Sequence, residues 1–393
     1  MVGALKGVRV IDLTTVGLGP YATQILGDMG ADVVKVESPE GDPFRYVAPF
    51  RNPGMGAGFL NLNRNKRSIV LDLKREEDKA ILLELVATAD VFITNIRPSS
   101  MRSLGLDYDR LRHENKRLIY CMASGFSESG PYKGRPAFDD IVQAMSGMAS
   151  LQGHGSGNGP RYVNTILVDK ITGLTAAWAI SVALYERERS GIGQLVEVPM
   201  FETMASFVLI EHMAGETFCP AETGMGYERV LSPHRRPYQT KDGYISLLPY
   251  TTAQWLRFFE IAGRAEYASD PRFVDMAARS NNIDELYQIV SDVIAQRTTA
   301  EWFDLLKESD IPMAHVLSPE DLLRDKHLQT LDFFKQETHP SEGEIRTIGI
   351  PVKFSRTPGK LDRSAPRLNE HREEILKELR ESRSDLPKKT SAT

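Results

Sequence analysis

Residues 8–22 have the sequence VRVIDLTTVGLGPYA, which begins with a strand pattern and continues into a glycine-rich turn. Residues 8–13 are rich in β-branched and aliphatic side chains, so they predict a short buried strand. Pro20 suits the first turn of a helix, which we expect to extend to Met29. A second strand is predicted at 32–37 (DVVKVE), and this order of strand, turn, helix and strand is typical of a parallel α/β sheet.

The same alternation continues beyond this unit. We predict further strands at 68–72, 91–94, 118–123, 163–168 and 194–199, and helices at 76–88, 174–187 and 201–214. Because strands separated by helix-length segments favour parallel pairing, the predicted fold class is α/β.

The domain organisation is predicted from a change of pattern near residue 220. Glycine and proline interrupt the sequence at 215–227, and the strand and helix patterns that follow indicate a smaller α+β unit. We expect a large α/β domain over 1–220, a small α+β domain over 225–315 and a return of the chain to the large domain over 316–384. The polar residues 385–393 are expected to form a disordered tail.

The composition excludes several classes of protein. The 393 residues include 48 Lys and Arg against 53 Asp and Glu, so the chain lacks the basic surplus that nucleic acids and anionic membranes select. Two cysteines, Cys121 and Cys219, are too few for a disulfide scaffold or a four-cysteine zinc site. We recognise neither a signal peptide nor an apolar run of about 20 residues. We therefore expect a soluble cytoplasmic protein that binds neither nucleic acid nor membrane.

The glycine turn admits two interpretations. Gly17, Gly19 and Ala22 fit the pattern G-x-G-x-x-G/A after a strand, and Glu37 follows Gly17 by 20 residues, as in NAD(P)-binding proteins. An NAD(P)-dependent oxidoreductase is therefore one hypothesis. The alternative is a tight strand-to-helix turn with no ligand, in which Pro20 removes one amide that could face a phosphate.

A series of motifs over nearly the whole chain resembles the family III CoA-transferases, the CaiB/BaiF group that includes formyl-CoA:oxalate and carnitine CoA-transferases. The motifs occur in the expected order at 5–13 (LKGVRVIDL), 30–37 (GADVVKVE), 63–74 (NRNKRSIVLDLK), 95–98 (NIRP), 104–106 (LGL), 138–139 (FD), 169–173 (DKITG) and 191–194 (GIGQ). The resemblance implies a Rossmann-like large domain from both chain ends, a smaller domain from the middle and two ring-shaped chains interlocked as a homodimer. It also implies CoA and acyl-CoA as substrates, with no permanently bound cofactor and no metal.

The resemblance places the catalytic nucleophile at Asp169. In the family an aspartate attacks the acyl-CoA thioester, forms an acyl–aspartyl anhydride and then an aspartyl-CoA thioester, and passes CoA to a second carboxylic acid. An aspartate is already ionised at neutral pH, so it needs no general base but depends on its position. Taken alone, an Asp between a predicted strand and a helix is more commonly an N-cap, and the chain could then bind CoA without catalysis.

The resemblance also implies a set of CoA contacts, since basic side chains suit the phosphates and apolar ones the adenine and pantetheine. The expected contacts are Val16, Gly17, Leu71, Lys74, Asn95, Ile96, Arg97, Arg102 and Asp139. At two positions the chain departs from the family. Arg102 lies one residue before the common arginine position, here Ser103, and Ser38 replaces an arginine that binds adenosine in some members.

Two features of the reaction are predicted only as sets of candidates. Backbone amides of Gly17, Gly19 or the 153–159 loop could stabilise the oxyanion of each tetrahedral intermediate. Exposed arginines at 161, 235 and 236 suggest a dicarboxylate, which makes succinyl-CoA the first donor to test.

A 2-methylacyl-CoA racemase of the same superfamily is a further hypothesis. Such enzymes move the α-proton with a His and an Asp as the acid and base. The position of the racemase histidine corresponds to Phe138 in this chain, which cannot carry a proton. We therefore favour the transferase.

Overall fold

The computed structural model describes residues 3–155 and 157–384. Its helices and strands are, in chain order, β1 Arg9–Leu13, α1 Leu18–Asp28, β2 Asp32–Glu37, α2 Ala57–Leu62, β3 Lys66–Val70, α3 Glu76–Ala87, β4 Val91–Thr94, α4 Pro98–Leu104, α5 Tyr108–Glu114, β5 Ile119–Ser124, α6 Asp139–Met145, α7 Met148–Gly153, α8 Leu167–Ser190, β6 Leu195–Pro199, α9 Met200–His212, α10 Glu228–Leu231, β7 Tyr238–Gln239, β8 Tyr244–Leu247, α11 Thr252–Ile261, α12 Met276–Asn281, α13 Ile283–Ile294, α14 Thr299–Leu306, β9 Met313–His315, α15 Pro319–Leu322, α16 Lys326–Thr330, β10 Phe334–His339, β11 Gly343–Ile348 and α17 Arg372–Ser384. The predicted disordered tail, 385–393, lies outside the described residues.

Six parallel strands form the main sheet in the order β3-β2-β1-β4-β5-β6, which confirms the predicted α/β class. In the middle of the sheet, Ile11 of β1 is paired in register with Val34 of β2 on one side and Phe92 of β4 on the other. The strand order therefore reverses direction between β1 and β4. In open parallel sheets such a reversal leaves a crevice at the carboxyl ends of the strands, where ligands bind.

Alternate strand residues point to opposite faces of the sheet, and each face has its own helical cover. On one face, Val10 and Ile93 pack with Leu26 of α1 and Ile180 of α8. On the other face, the neighbouring strand residues pack against α3, α5 and the C-terminal helix α17; they include Ile11, Val34 and Phe92, packed with Leu82, Leu111 and Ile375. Both ends of the chain therefore contribute to one core.

The strand predicted at 163–168 is wrong, because helix α8 begins at Leu167. Before the helix, the N–H groups of Thr165 and Leu167 each donate to a carbonyl two residues earlier, at 2.7 Å, which forms tight turns instead of a strand. The 24-residue helix is long and apolar enough to cross a membrane by length and composition, and 44% of its most apolar window is buried inside the protein. Its buried side chains, such as Ile180, belong to the core beneath the sheet.

The chain divides into two compact units. The first comprises the residues up to Ser146, Val163–Phe207 and the residues from His327 onward, and it contains the parallel sheet. The second comprises Gly147–Tyr162 and Val208–Lys326, and it contains the antiparallel sheet β7-β8-β9 and a core around Phe258 and Trp302. The second unit extends beyond the limits of 225 and 315 drawn from the sequence, and the domain boundaries themselves stay a prediction.

Candidate active site

The loop that follows β1 is attached to the loop that follows β4. The N–H of Thr15 donates to Oδ1 of Asn95 at 3.0 Å, and Nδ2 of Asn95 donates back to the Thr15 carbonyl at 2.9 Å. These two loops lie at the carboxyl ends of the strands between which the sheet order reverses. The predicted CoA contact Asn95 therefore also fixes the backbone of the crevice.

Val16 has a backbone conformation that β-branched residues rarely adopt. Its φ angle is 67°, in the left-handed region, where the Cβ branches crowd the backbone. The Val16 N–H donates to Oδ1 of Asp42 at 3.1 Å. Immediately after it, Gly17 is the N-cap of helix α1.

Asp169 reaches this loop because two helices approach each other closely. It is the third residue of α8, which packs along α1. One turn later, a Cβ at Gly173 would lie 2.7 Å from the Leu18 carbonyl oxygen, so only glycine permits this helix contact. At the start of α1, a Cβ at Gly17 would collide with the carboxylate of Asp169. The two glycines therefore bring the carboxylate against the loop after β1.

The Asp169 carboxylate is partly buried and accepts no hydrogen bond from any residue in the described part of the chain. The N-cap of α8 is Ile166, and Asp169 is the third residue of the helix, so the interpretation of Asp169 as the N-cap is wrong. Burial, with a smaller contribution from the negative charge of Asp139, raises the pKa of Asp169 to about 6. An unpaired carboxylate with a raised pKa is the kind of group found at catalytic sites.

Asp139 lies behind Asp169 in the helix packing. Its Oδ2 accepts the backbone N–H of Asp169 at 3.0 Å, and its Oδ1 accepts Nε2 of Gln143 at 2.6 Å. The side chain is buried and is not among the residues that line the cavities described below. A contact between Asp139 and CoA stays a prediction, whereas the structure shows this carboxylate fixing the first turn of α8.

Two cavities of the first unit contain most of the predicted contacts. A cavity of about 480 Å³ is lined by Val16, Gly17, Asn95, Ile96, Arg97 and Asp169, and a second of about 300 Å³ by Leu71, Lys74, Ile96 and also Ser38. The two share Thr15 and Ile96 in their linings, so they adjoin at the loops after β1 and β4. Arg102 lines neither of them. It lies in the last turn of α4 and pairs with Glu128 at 3.1 Å.

The cavity around Asp169 has one cation that the sequence did not indicate. Arg135 lines it together with Arg97, and neither forms an ion pair with a described residue. The guanidinium of Arg135 lies 4.5 Å from the ring centroid of Tyr132. The sequence gives only a weak indication that Arg135 belongs to the site, because a Gly-Arg-Pro turn is typical of many surface loops. The arginines at 161, 235 and 236, which the sequence suggested for a dicarboxylate, belong to the second unit.

The lining residues also bear on the competing hypotheses. No histidine occurs among the described residues that line the Asp169 cavity, and Phe138 lies in that lining. This lining lacks the imidazole that a racemase requires. Within residues 3–155 and 157–384 no cluster of three or more His, Cys, Asp or Glu side chains could hold a metal ion.

The fold and site together define an enzyme of the parallel α/β class, with an unpaired carboxylate of raised pKa in the crevice of its sheet. Residues 5–372 match CoA-transferase family III, and the chain belongs to this family. The predicted reaction class, transfer of CoA between an acyl-CoA and a carboxylic acid, is thereby confirmed.

Relatives with known names agree over almost the full length. The chain is 35% identical to a succinyl-CoA:mesaconate CoA-transferase of Haloarcula hispanica, with 96% of each chain covered. It is 34% identical to a succinate–glutarate CoA-transferase of Agrobacterium fabrum, with 95% of each covered. A crystal structure of a CaiB/BaiF family protein from Brucella suis is similar at a TM-score of 0.81 and 30% identity, covering 96% of this chain and 100% of that one.

Proposed function

We propose that Asp169 is the covalent nucleophile of CoA transfer in this protein. A carboxylate oxygen of Asp169 attacks the thioester carbonyl of the donor, the C–S bond breaks, and CoA leaves as a thiolate from the acyl–aspartyl anhydride. The thiolate then attacks the aspartyl carbonyl, which forms an aspartyl-CoA thioester and releases the donor acid with one oxygen from Asp169. The acceptor carboxylate attacks this thioester, and the returning thiolate takes the acceptor acyl group, which restores Asp169.

The raised pKa of Asp169 suits this role. With a pKa of about 6 the carboxylate is about 90% ionised at pH 7, and a more basic carboxylate is the better nucleophile. The absence of hydrogen bonds from described residues leaves its oxygens available to a substrate carbonyl. The unpaired, partly buried carboxylate facing a cavity is the observation that carries the proposal.

The oxyanion of each tetrahedral intermediate needs N–H donors close to Asp169. At the start of α1 the N–H groups of Gly17 and Leu18 donate to no described residue, and Gly17 is in contact with Asp169. The positive end of the helix dipole adds to the effect of these amides. We therefore assign the oxyanion site to the Gly17 and Leu18 amides, ahead of the other candidates, Gly19 and the 153–159 loop.

The bound CoA follows the two cavities. Leu71 and Lys74 in the smaller cavity suit the adenosine and its phosphates, and Ile96 and Thr15 continue the surface toward Asp169 for the pantetheine arm. Between the adenosine end of CoA and the thioester beside Asp169, the guanidinium of Arg97 can pair with a phosphate. CoA is a substrate in this scheme, and no permanently bound cofactor is required.

The donor that we propose is succinyl-CoA. Three relatives, from Haloarcula hispanica, Agrobacterium fabrum and Chloroflexus aurantiacus, are named as CoA-transferases that act on succinyl-CoA or succinate. In this chain Arg135 lines the Asp169 cavity without an ion pair to any described residue, so it can meet the distal carboxylate of a succinyl group. Initial rates with succinyl-CoA, acetyl-CoA and formyl-CoA would rank the donors.

We also propose a cytoplasmic homodimer. Helix α8 exposes Leu174, Trp178, Val182 and Tyr185, which follow one another at helical spacing and form an apolar stripe. Exposed stripes of this kind mark interaction surfaces, and the family resemblance supplies a second copy of this chain as the partner.

The cytoplasmic location is proposed from the cysteines. Two free thiols, a buried Cys121 and an exposed Cys219, are consistent with a reducing compartment. Mass measurement in solution and cell fractionation test the two statements.

Hydroxylamine trapping tests the nucleophile. Hydroxylamine attacks an aspartyl anhydride or thioester and leaves a hydroxamate, so a digest made during turnover should contain it on the Asp169 peptide. The neighbouring carboxylates Asp139 and Asp140 are controls in the same digest. A hydroxamate elsewhere, or none with any donor that turns over, would contradict the assignment.

A further inference from the structure

Beneath the loop after β1, the first unit contains a pair of fully buried opposite charges. The side chains of Lys35, on β2, and Asp42, after β2, are 0% exposed, and Nζ of Lys35 lies 2.9 Å from Oδ2 of Asp42. Removing two charges from water costs several kcal/mol per ion, and their attraction offsets this cost only where the remaining hydrogen bonds are also made. A buried ion pair is therefore weak evidence of a purely stabilising role.

Each member of this pair also forms one hydrogen bond to the active-site loop. Nζ of Lys35 donates to the carbonyl of Thr14 at 2.9 Å, and Oδ1 of Asp42 accepts the N–H of Val16 at 3.1 Å. Lys35 and Asp42 thus hold the two ends of the tripeptide Thr14–Val16. Between them, Asn95 holds both backbone groups of Thr15.

Asp42 is itself fixed by further contacts. Its N–H donates to Oε2 of Glu37 at 3.1 Å, and its Oδ1 also accepts the N–H of Phe44 at 2.9 Å. Glu37 forms a two-bond pair with Arg45, with both distances 2.7 Å and both side chains buried. The acceptor that holds Val16 therefore has one position, which is set by buried residues outside the lining of the Asp169 cavity.

The target of this acceptor is the strained residue of the site. A non-glycine residue in the left-handed region costs about 1–3 kcal/mol, and such a conformation persists only where the surroundings hold it. Val16 is in that region, with φ 67°, and it directly precedes Gly17, whose backbone touches Asp169. If Val16 relaxed to an ordinary φ, the backbone after it, including the amides of Gly17 and Leu18, would change direction.

We propose that Lys35 and Asp42 act as a positioning pair for CoA transfer: through Thr14 and Val16 they hold the loop in the conformation that aims the Gly17 and Leu18 amides at the reacting carbonyl beside Asp169. Neither residue is among those that line the Asp169 cavity, so neither is a catalytic residue; Asp42 is among the residues that line the smaller cavity, but its side chain is fully buried. The proposal rests on the proposed function, because it assumes that the reaction takes place at Asp169.

The test is a double-mutant cycle between Asp42→Ala and Val16→Gly. Glycine adopts a positive φ without strain, so a chain with Gly at position 16 depends less on the Asp42 acceptor. In the wild-type background we expect Asp42→Ala to lower kcat at least about 10-fold while KM for the acyl-CoA changes less than about 3-fold. In the Val16→Gly background the same substitution should lower kcat by less than about 3-fold.

The matched control is Asp28→Ala. Asp28 forms a comparably buried pair with Arg64 at 2.7 Å, at the far end of α1 and away from the loop. The Asp28→Ala variant should lose stability in urea unfolding to a similar extent as Asp42→Ala, but its kcat should stay within about 2-fold of wild type. If Asp42→Ala yields no folded protein, the cycle is run with Asp42→Asn, which retains an acceptor for the Val16 N–H; we then expect a smaller loss of kcat, again relieved by Val16→Gly.

Two results would overturn the proposal. One is a folded Asp42 variant with wild-type kcat, and the other is a loss of kcat that Val16→Gly does not relieve or that Asp28→Ala reproduces. These results are distinct from failure of the proposed function, which would appear as turnover by Asp169→Asn. The double-mutant cycle measures the overall rate of CoA transfer, so its result can be interpreted whether or not Asp169 is the nucleophile.

Discussion

The carboxylate of Asp169 lies so close to Cα of Gly17 that position 17 has no room for a side chain. The contact joins the first turn of α8 to the first turn of α1. Among the described residues that line the cavity, Asp169 has the one carboxylate without an ion pair or hydrogen bond. The contact places it beside the amides of Gly17 and Leu18, which donate to no described residue. The glycine motif after β1 thus has a specific physical purpose that differs from binding a dinucleotide.

Substitution of Gly17 by Ala should therefore impair catalysis more than folding. The added methyl group would collide with Oδ2 of Asp169 and displace the carboxylate or the loop, and we expect kcat to fall at least about 10-fold. Gly130→Ala is the matched control, since a Cβ there would have only one atom within 4.0 Å, the Ser127 carbonyl oxygen. Steady-state kinetics on both variants, with circular dichroism as a check of folding, measure the difference. Wild-type kcat for Gly17→Ala would contradict the close contact.

The pH dependence of kcat/KM should report the pKa of Asp169 in the free enzyme. The nucleophile must be ionised, and its pKa is raised to about 6, so kcat/KM should be level above pH 7, reach half its maximum near pH 6 and fall about 10-fold per unit below that. Asp139→Asn removes the like charge that contributes to this shift, and the acid limb should then move to lower pH. An acid limb near pH 4 in the wild type would show an ordinary aspartate.

The same raised pKa predicts that Asp169 destabilises the fold at neutral pH. Because the folded state binds this proton more tightly than the unfolded state, the free energy of unfolding decreases as pH rises from about 4 to 6. Asp169→Asn removes the buried charge, so it should be more stable than wild type by about 1–3 kcal/mol at pH 8, with a smaller gain at pH 4. Urea unfolding at the two pH values tests the sign. Equal effects at both would exclude burial of the charge as the cause.

Binding of CoA should depend on the cations of the two cavities. Lys74→Ala and Arg97→Ala each remove a charge that lines a cavity, and we expect KM for the acyl-CoA to rise about 3- to 20-fold with a smaller change in kcat. Arg112→Ala, at an exposed position of α5, is the control for a general loss of positive charge. The effect should shrink at high salt, which screens exposed charges. A lower kcat at unchanged KM would place these residues in the chemistry instead.

Much of the fold could be predicted because its signals are local. Most strands of the parallel sheet contain a short aliphatic run, and β1 and β2 flank a turn and a helix of standard length; β3 is the exception, because its sequence KRSIV begins with three polar residues. The strand prediction at 163–168 failed because the segment ends in apolar Leu167 and Val168, half-buried and buried respectively, and such residues suit a helix that covers a sheet as well as a strand within it. Hydrophobicity alone does not separate these cases.

The candidate site was also only partly predictable from the sequence. The resemblance supplied Asp169 and the loops that follow β1 and β4, since these are continuous motifs. It could not supply the φ of Val16 or the burial of Lys35, because both depend on Asp42, which only the fold brings beneath the loop. In the sequence DVVKVE a lysine would ordinarily be assigned to a solvated face.

Transfer of oxygen into Asp169 tests the central claim most directly. In the proposed sequence one oxygen of the acceptor carboxylate remains in the Asp169 carboxyl group after each turnover. With an ¹⁸O-labelled acceptor acid and unlabelled water, mass spectrometry of the digested enzyme should find heavy oxygen in the Asp169 peptide and not in the peptide that contains Asp139 and Asp140. Turnover that labels the released donor acid while Asp169 stays unlabelled would show direct attack of acceptor on donor, and would contradict the covalent role of this residue.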